Sequence, residues 1–360
     1  MSPIIFVLLI IPVLVLNYYA YKKNSIKLLI ISILFLSLII GLRGINVGID
    51  TSTYYEAFEN NFPKPWLFKE AGFKTISILL MQITNNATIV MTIYALFTNF
   101  LIILRLWAMR DKTNFAISST LYILVFMFST MNIMRQFLAI AIVFYFSKFL
   151  ENRKYLLFIL AVIAATLIHR TALVTIFLLV PYIWSSLSSK QKIISLIPLI
   201  SISALTIIIV TSYNKSLIEN YLSTDRLAAT ISLVFVYRIS IYVVSVILRK
   251  TNISITYGRR KIDTDNTKYK NEYKELTNTT SLIYFSGLCL SSLGMLYGYV
   301  ARIGLYFLIF EPLYWGILTK KHSKNASLNL LMIMIFAIYV FARELILNGS
   351  GVFPYYIQPI

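Results

Sequence analysis

The stretch STMNIMRQFLAIAI, residues 129–142, places an arginine inside a run that is otherwise almost entirely apolar. Such a run reads as membrane helix, where a central guanidinium costs about 2.5 to 3.5 kcal/mol even on translocon insertion scales. Something in the surroundings of Arg135 must compensate.

The rest of the chain asks for the same solvent. Of its 360 residues, 58% are hydrophobic and 13% charged, and the apolar residues form long blocks separated by short Lys-rich punctuation, not stripes of period 3.6. Blocks near the roughly 20 residues that a bilayer-crossing helix needs fall at 3–21, 27–42, 86–107, 114–131, 134–150, 155–169, 171–186, 191–212, 229–248, 281–299, 302–318 and 326–345. The expectation is an all-α, polytopic integral membrane protein with about twelve spans and 70–84 as a short amphipathic or re-entrant helix. Residues 1–360 then form a single transmembrane domain, with an outer loop at 43–85 and a cytoplasmic loop at 249–280. The mixed charges of 249–280 read as a solvated, partly disordered linker within reach of anionic lipid headgroups.

A net charge of +19 would suggest nucleic acid in a soluble chain. Here the basic residues sit in short loops, where span orientation explains them, so membrane lipids and not nucleic acid are the expected partners. The lone Cys289 and the two distant histidines, His169 and His322, give no disulfide framework and no metal-ligand cluster. No metal or cofactor is expected.

The first block lacks a basic leader and is followed by Lys22 and Lys23, the wrong polarity for a cleavable signal peptide. It reads as a first span with its N-terminus outward, and twelve spans return the C-terminus to the same side. Alternation then gives the inner half about twice the basic residues of the outer half, as the positive-inside rule requires. The outer half holds Lys64, Lys69, Lys74 and Lys215, but also Arg43, Arg135, Arg170, Arg226, Arg238, Arg302 and Arg343. Topology does not ask for that excess of arginine. A guanidinium presents a planar fork that grips phosphate or carboxylate bidentately, so convergent arginines would make a pocket for an anion; the alternative is a set of interfacial anchors that snorkel to water.

Helix polarity divides the set. Arg43, Arg170 and Arg343 fall at the C-terminal ends of outward-running spans, where a cation complements the dipole. Arg135 and Arg302 open inward-running spans, where free N–H groups disfavour a cation and welcome an anion. A substrate phosphate between Arg135 and that helix end would answer the opening problem. Arg238 lies about 12 Å into its span at roughly 1.5 Å per residue, so it must face a polar cavity or pair with a group such as Glu311.

GLRGINVGIDTSTYYEAF (41–58) resembles the R-x-x-x-V-G-x-D-T-x-x-Y signature of EpsG-like proteins, a branch of the Wzy-type polysaccharide polymerases. MNIMRQFLAIAIVFYFSKFLENRKYLLFILAVIAATLIHRTAL (131–173) is similar to that family's second signature: an Arg-Gln pair, a small-residue helix, a basic turn, and a helix ending in A-x-x-x-H-x-S/T-A-L. FPYY (353–356) and YVARIGLYF (299–307) are compatible with its closing segments. The resemblance implies a membrane glycosyltransferase, of GT-C-like architecture, in the bacterial cytoplasmic membrane. It would transfer a glycan from undecaprenyl pyrophosphate to another lipid-linked repeat at the outer face, with no metal. Flippase and chain-length regulator proteins are implied as partners of such an enzyme.

In that chemistry a pyrophosphate leaving group needs fixed cations, for which Arg135, Arg302 and Arg238 are the first candidates. Arg43, Tyr54, Gln136, Arg170 and Arg343 join them as substrate-binding candidates. The attacking hydroxyl needs a proton acceptor, and Asp50 and His169 stand ahead of Glu56, Glu344 and Asp225. Each has a structural alternative: Asp50 as a turn or cap with Thr51 and Ser52, His169 as a helix C-terminal cap with Arg170. Tyr54, Tyr55, Phe58, Trp66 and Phe68 could stack sugar rings or simply populate the interface. A lipid-linked oligosaccharide flippase and a ligase-like or modifying transferase are the alternative functions.

Overall fold

A computed structural model describes residues 2–64, 68–185, 233–251, 265–293, 298–320 and 325–358. The expected span at 191–212, together with Trp66, Lys215, Asp225, Arg226 and His322, lies outside them. All regular structure among the described residues is helical.

The first half of the chain comprises α1 (Pro3–Lys23), α2 (Ile26–Gly41), α3 (Thr51–Glu59), α4 (Ala71–Thr84) and α5 (Ala87–Ala108). It continues with α6 (Phe115–Leu121), which runs through a π turn (Tyr122–Phe126) into α7 (Met127–Asn132), then α8 (Met134–Phe146), the single turn α9 (Lys148–Glu151) and α10 (Tyr155–Ile168). A 3₁₀ helix (Arg170–Leu178) leads into α11 (Leu179–Ser185). Beyond it lie α12 (Leu233–Thr251), α13 (Asp265–Leu293), α14 (Gly298–Leu308), α15 (Glu311–Leu318) and α16 (Ala326–Leu347).

Local chemistry sets many of these boundaries. The Asn86 side chain accepts from the N–H groups of Thr88 and Ile89 at 2.9 and 3.2 Å, satisfying two donors at the start of α5. Asn24, Asn85 and Asn348 close α1, α4 and α16 in the left-handed conformation, which asparagine tolerates. Among the described residues, five helices are long and apolar enough to cross a membrane: Pro3–Lys23, Ala87–Ala108, Phe115–Asn132, Val300–Leu318 and Ala326–Leu347. Their outer faces carry exposed rows such as Ile4, Leu8, Ile11 and Val15 on α1, and Leu331, Ile335 and Ile338 on α16. Contiguous apolar faces of that kind suit lipid tails, not water.

Two expectations change. The 249–280 segment, expected as a linker, is helical at both ends, through Thr251 and again from Asp265. Tyr273 donates to the Ile317 carbonyl at 2.7 Å and Glu272 pairs with Lys112, so the polar half of α13 continues the helix whose apolar half packs in the bundle. Residues 43–85, expected as an outer loop with one short helix, hold a second helix, α3, besides the amphipathic α4.

The two ends of the bundle differ. At one end, Arg105 reaches Ser147 and Glu151, and Arg110 reaches Asn24. At the other, the C-terminal tail folds over residues 42–49: Gly44 N–H donates to the Tyr356 carbonyl, Gly48 N–H to the Gly351 carbonyl and Gln358 N–H to the Leu42 carbonyl, each at 2.8 Å. Asn132 ties the same loop to the bundle, accepting from Ile49 N–H at 2.7 Å and donating to the Ser350 carbonyl at 2.9 Å.

Candidate functional site

The clasped end holds the signature 43–54, and its residues divide the labour. Arg43 is fully buried. Its Nε donates to Thr51 Oγ1 at 3.1 Å, and its two terminal nitrogens donate to the Ile40 and Met131 carbonyls at 2.6 Å each. Those carbonyls end α2 and α7, so two negative dipole ends face the cation. Thr51 Oγ1 in turn donates to the Val47 carbonyl at 2.6 Å. Arg43, Val47 and Thr51 therefore form a lock, with its donors engaged inside the protein.

That lock presents Asp50. Gly48 has φ +97°, and a Cβ there would lie 2.8 Å from Asn132 Oδ1 and 2.9 Å from Thr51 Oγ1, which is why this turn takes glycine. Asp50 occupies the N-cap position of α3, yet its side chain makes no capping hydrogen bond. The half-buried carboxyl is pushed above its ordinary value by burial, against the opposing pull of the Arg302 and Arg135 guanidiniums.

Arg135 opens α8, whose N-terminus has no side-chain cap. An anion does sit beside it, and it belongs to the protein: Glu70 Oε2 accepts from Arg135 Nη1 at 2.8 Å. The guanidinium also lies 5.0 and 5.7 Å from the ring centres of Phe68 and Phe73, a cation–π arrangement. Tyr54, buried among these rings, accepts from the Arg135 backbone N–H at 3.4 Å. The neighbouring Gln136 donates to the Arg302 carbonyl at 2.6 Å, fastening α8 to α14. The Arg302 side chain is exposed and enters no ion pair or hydrogen bond among the described residues.

His169 sits in the turn between α10 and the 3₁₀ helix, outside both. Its Nδ1 shares a hydrogen bond with Thr171 Oγ1 at 2.7 Å, and that hydroxyl meets Tyr306 Oη at 3.3 Å. Burial, followed by Arg135, pushes the imidazole down to about 4, with Arg170 and Arg302 acting in the same direction and Glu70 opposing. The ring is neutral near pH 7. Arg170 exposes most of its side chain while its backbone N–H donates to Glu70 Oε1 at 3.3 Å.

Asp50 thus lies within electrostatic reach of Arg302 and Arg135, and His169 within reach of Arg135, Arg170 and Arg302, with Tyr54 and Gln136 bracing the start of α8. Arg238 is engaged elsewhere: its Nε and Nη2 hold Glu311 at 3.2 and 3.0 Å, and Tyr284 donates to the same carboxylate at 2.6 Å. Arg343 pairs with its neighbour Glu344 at 3.3 Å.

The same order of segments matches a family model. The EpsG family model covers residues 26–357. The chain belongs to the EpsG family. Neither a curated relative nor a solved structure matches it. For this EpsG family member, the residues that sequence reasoning missed are Glu70, Thr171, Tyr306 and Asn132. Glu70 had a signal: a carboxylate at the start of an amphipathic helix is a natural partner for an arginine.

Proposed function

We propose that this protein is a polysaccharide repeat-unit polymerase of the Wzy type, transferring a glycan from undecaprenyl pyrophosphate to another lipid-linked repeat without a metal. The observation that carries the reading is the exposed Arg302 guanidinium, which enters no ion pair or hydrogen bond among the described residues and lies within electrostatic reach of both the uncapped Asp50 carboxyl and the neutral His169. On this reading the acceptor hydroxyl gives its proton to Asp50 and forms the new bond to the anomeric carbon. The anomeric C–O bond breaks, and the departing pyrophosphate carries its charge to Arg302 and Arg170, with Arg135 behind them. Preorganised cations of this kind stabilise the charge that develops in the transition state. His169, held by Thr171, orients a hydroxyl and does not donate a proton.

We read the chain as about twelve spans in a GT-C-like arrangement in the bacterial cytoplasmic membrane, both termini and the Asp50 end facing outward. Flippase and chain-length regulator proteins would work beside it. Deleting the gene in its host and restoring it tests the activity through the surface-glycan ladder on a gel. Single capped repeats after deletion, and a ladder after restoration, support the polymerase. Complete loss of surface glycan indicates a flippase or ligase, and an unchanged ladder with altered sugars a modifying transferase. Arg135→Lys, which keeps the charge and loses the fork, should insert normally and lose most of the ladder.

A further inference from the structure

Glu70 joins three segments that the sequence keeps far apart. One carboxylate oxygen accepts from Arg135 Nη1 at 2.8 Å; the other accepts from the Arg170 backbone N–H at 3.3 Å and lies 3.9 Å from Arg170 Nε. The side chain is only 7% exposed. It precedes α4, which is docked on the bundle: Phe73 and Ser77 are buried, Ile78, Leu80 and Met81 pack against the core, Ser77 meets Tyr94 Oη at 2.7 Å, and Gly72 lies against Leu167. A Cβ on Gly72 would come within 2.8 Å of the Leu167 carbonyl oxygen, so backbone contact sets how close Glu70 comes to the His169 turn.

A buried carboxylate is costly, and its ion pair is weak evidence for added stability, all the more on a helix that apolar packing already docks. What it does add is orientation. Arg135 is long and begins a helix whose N–H groups repel it; without a fixed anion its guanidinium would turn toward water. Resting on the polymerase reading above, we propose that Glu70 is the positioning residue of the site. It aims the Arg135 guanidinium at the leaving pyrophosphate and fixes the turn that carries His169, taking no proton itself.

The test uses the purified full-length protein in lipid nanodiscs, with lipid-linked repeats extracted from the deletion host as substrate. Glu70→Gln, Glu70→Asp and the exchange Glu70→Arg/Arg135→Glu are compared with wild type for kcat, KM, pH profile and affinity for undecaprenyl pyrophosphate. Glu70→Gln is expected to lower kcat about 10²-fold to 10³-fold, the range for loss of one charge-stabilising donor. Its KM for the whole lipid-linked repeat should stay within about threefold, because glycan and lipid contacts dominate ground-state binding. Affinity for undecaprenyl pyrophosphate should fall at least tenfold, and Glu70→Asp should lie between. The exchange keeps an ion pair and a folded protein, and should remain inactive.

A wild-type kcat in Glu70→Gln overturns the proposal. So does recovery of activity in the exchange, which would make the pair merely structural, and so does loss of the acid limb of the pH profile in Glu70→Gln, which would make Glu70 the proton acceptor. If Glu70→Gln does not fold, Glu70→Asp and the exchange decide by the same criteria. Wild-type protein that binds undecaprenyl pyrophosphate but extends no repeat overturns the polymerase reading alone, and Glu70 is then judged by the affinity of its variants.

Discussion

Two of the arginine–glutamate pairs among the described residues, Arg238 with Glu311 and Arg135 with Glu70, differ in what surrounds them. Around Arg238 and Glu311 the neighbours close the pair in: Arg238 Nε donates to one carboxylate oxygen and Nη2 lies 3.0 Å from the other, Tyr284 adds a second donor, and the Phe336 ring lies 5.1 Å from the guanidinium carbon. Glu311 is 1% exposed. Around Arg135 and Glu70 the contacts lead outward instead, through Arg170 to an exposed side chain and through Gln136 to the segment carrying the exposed Arg302. The same ion pair is a closed unit in one place and part of an open cationic surface in the other. Burial and partners, not residue type, tell them apart.

Breaking the closed pair should have the largest effect, and it should be on folding. Removal of one partner leaves an uncompensated buried charge, at a cost of about 3 to 5 kcal/mol. Glu311→Ala should therefore nearly abolish folded protein in the membrane, while Arg238→Leu combined with Glu311→Leu should recover most of it. Thermal unfolding of detergent-extracted protein measures both. A stable Glu311→Ala variant would move the Arg238 pair from the structural to the functional side of the comparison.

Breaking the open surface should spare the fold. Arg302→Ala is expected to lower polymer yield by about 10² to 10³ at unchanged protein abundance. Asp50→Asn should lower it by about 10² to 10⁴, the range for a lost general base, and the pH dependence carries the sign. A carboxylate needed in its ionised form loses activity as pH falls through its pKa, and burial holds that of Asp50 above the ordinary 3.8. The acid limb should therefore lie above the ordinary aspartate value and disappear in Asp50→Asn. His169, pushed down to about 4, should contribute no limb between about pH 6 and 8, where an ordinary imidazole titrates. A limb in that window that vanishes in His169→Gln would reverse the two assignments.

How much of this the sequence carried depended on distance along the chain. Apolar blocks are local, and helices such as α1, α2 and α5 follow them to within about two residues. The need of Arg135 for an anion was legible from helix polarity, and Glu311 could be named as a partner for Arg238. The identity of the anion beside Arg135 was not legible, because Glu70 lies 65 residues away across a loop whose docking is fixed by packing. A substrate phosphate was the expectation; a protein carboxylate holds that place. The lock of Arg43, Val47 and Thr51 was hidden for a related reason. A motif shows which residues recur together and not which of them face inward. Nor did the sequence show that α13 stays helical through its polar half, since mixed charge suits both a solvated linker and an exposed helix that packing has already started.

A smaller effect belongs to the turn that sets Asp50. At Gly48 an alanine would combine a strained positive φ with overlap against Asn132 and Thr51. Gly48→Ala is expected to cost about 1 to 3 kcal/mol and to shorten the glycan ladder without abolishing it. If the ladder is lost while thermal stability is unchanged, the turn acts on Asp50 directly and not through the lock.

The smallest effect is expected at a third pair on the same end, Lys64 with Glu56. Its 2.7 Å contact is as short as that of Arg135 with Glu70, but the two side chains are 44% and 39% exposed. Solvent and salt screen such a pair, and exposed pairs contribute about 0 to 1 kcal/mol. Lysine also lacks the fork that would make it a bidentate phosphate ligand. Lys64→Ala should therefore leave both abundance and ladder close to wild type. A null phenotype at Lys64 would extend the anion-binding surface over α3, and distance alone would then have been a better guide to function than burial.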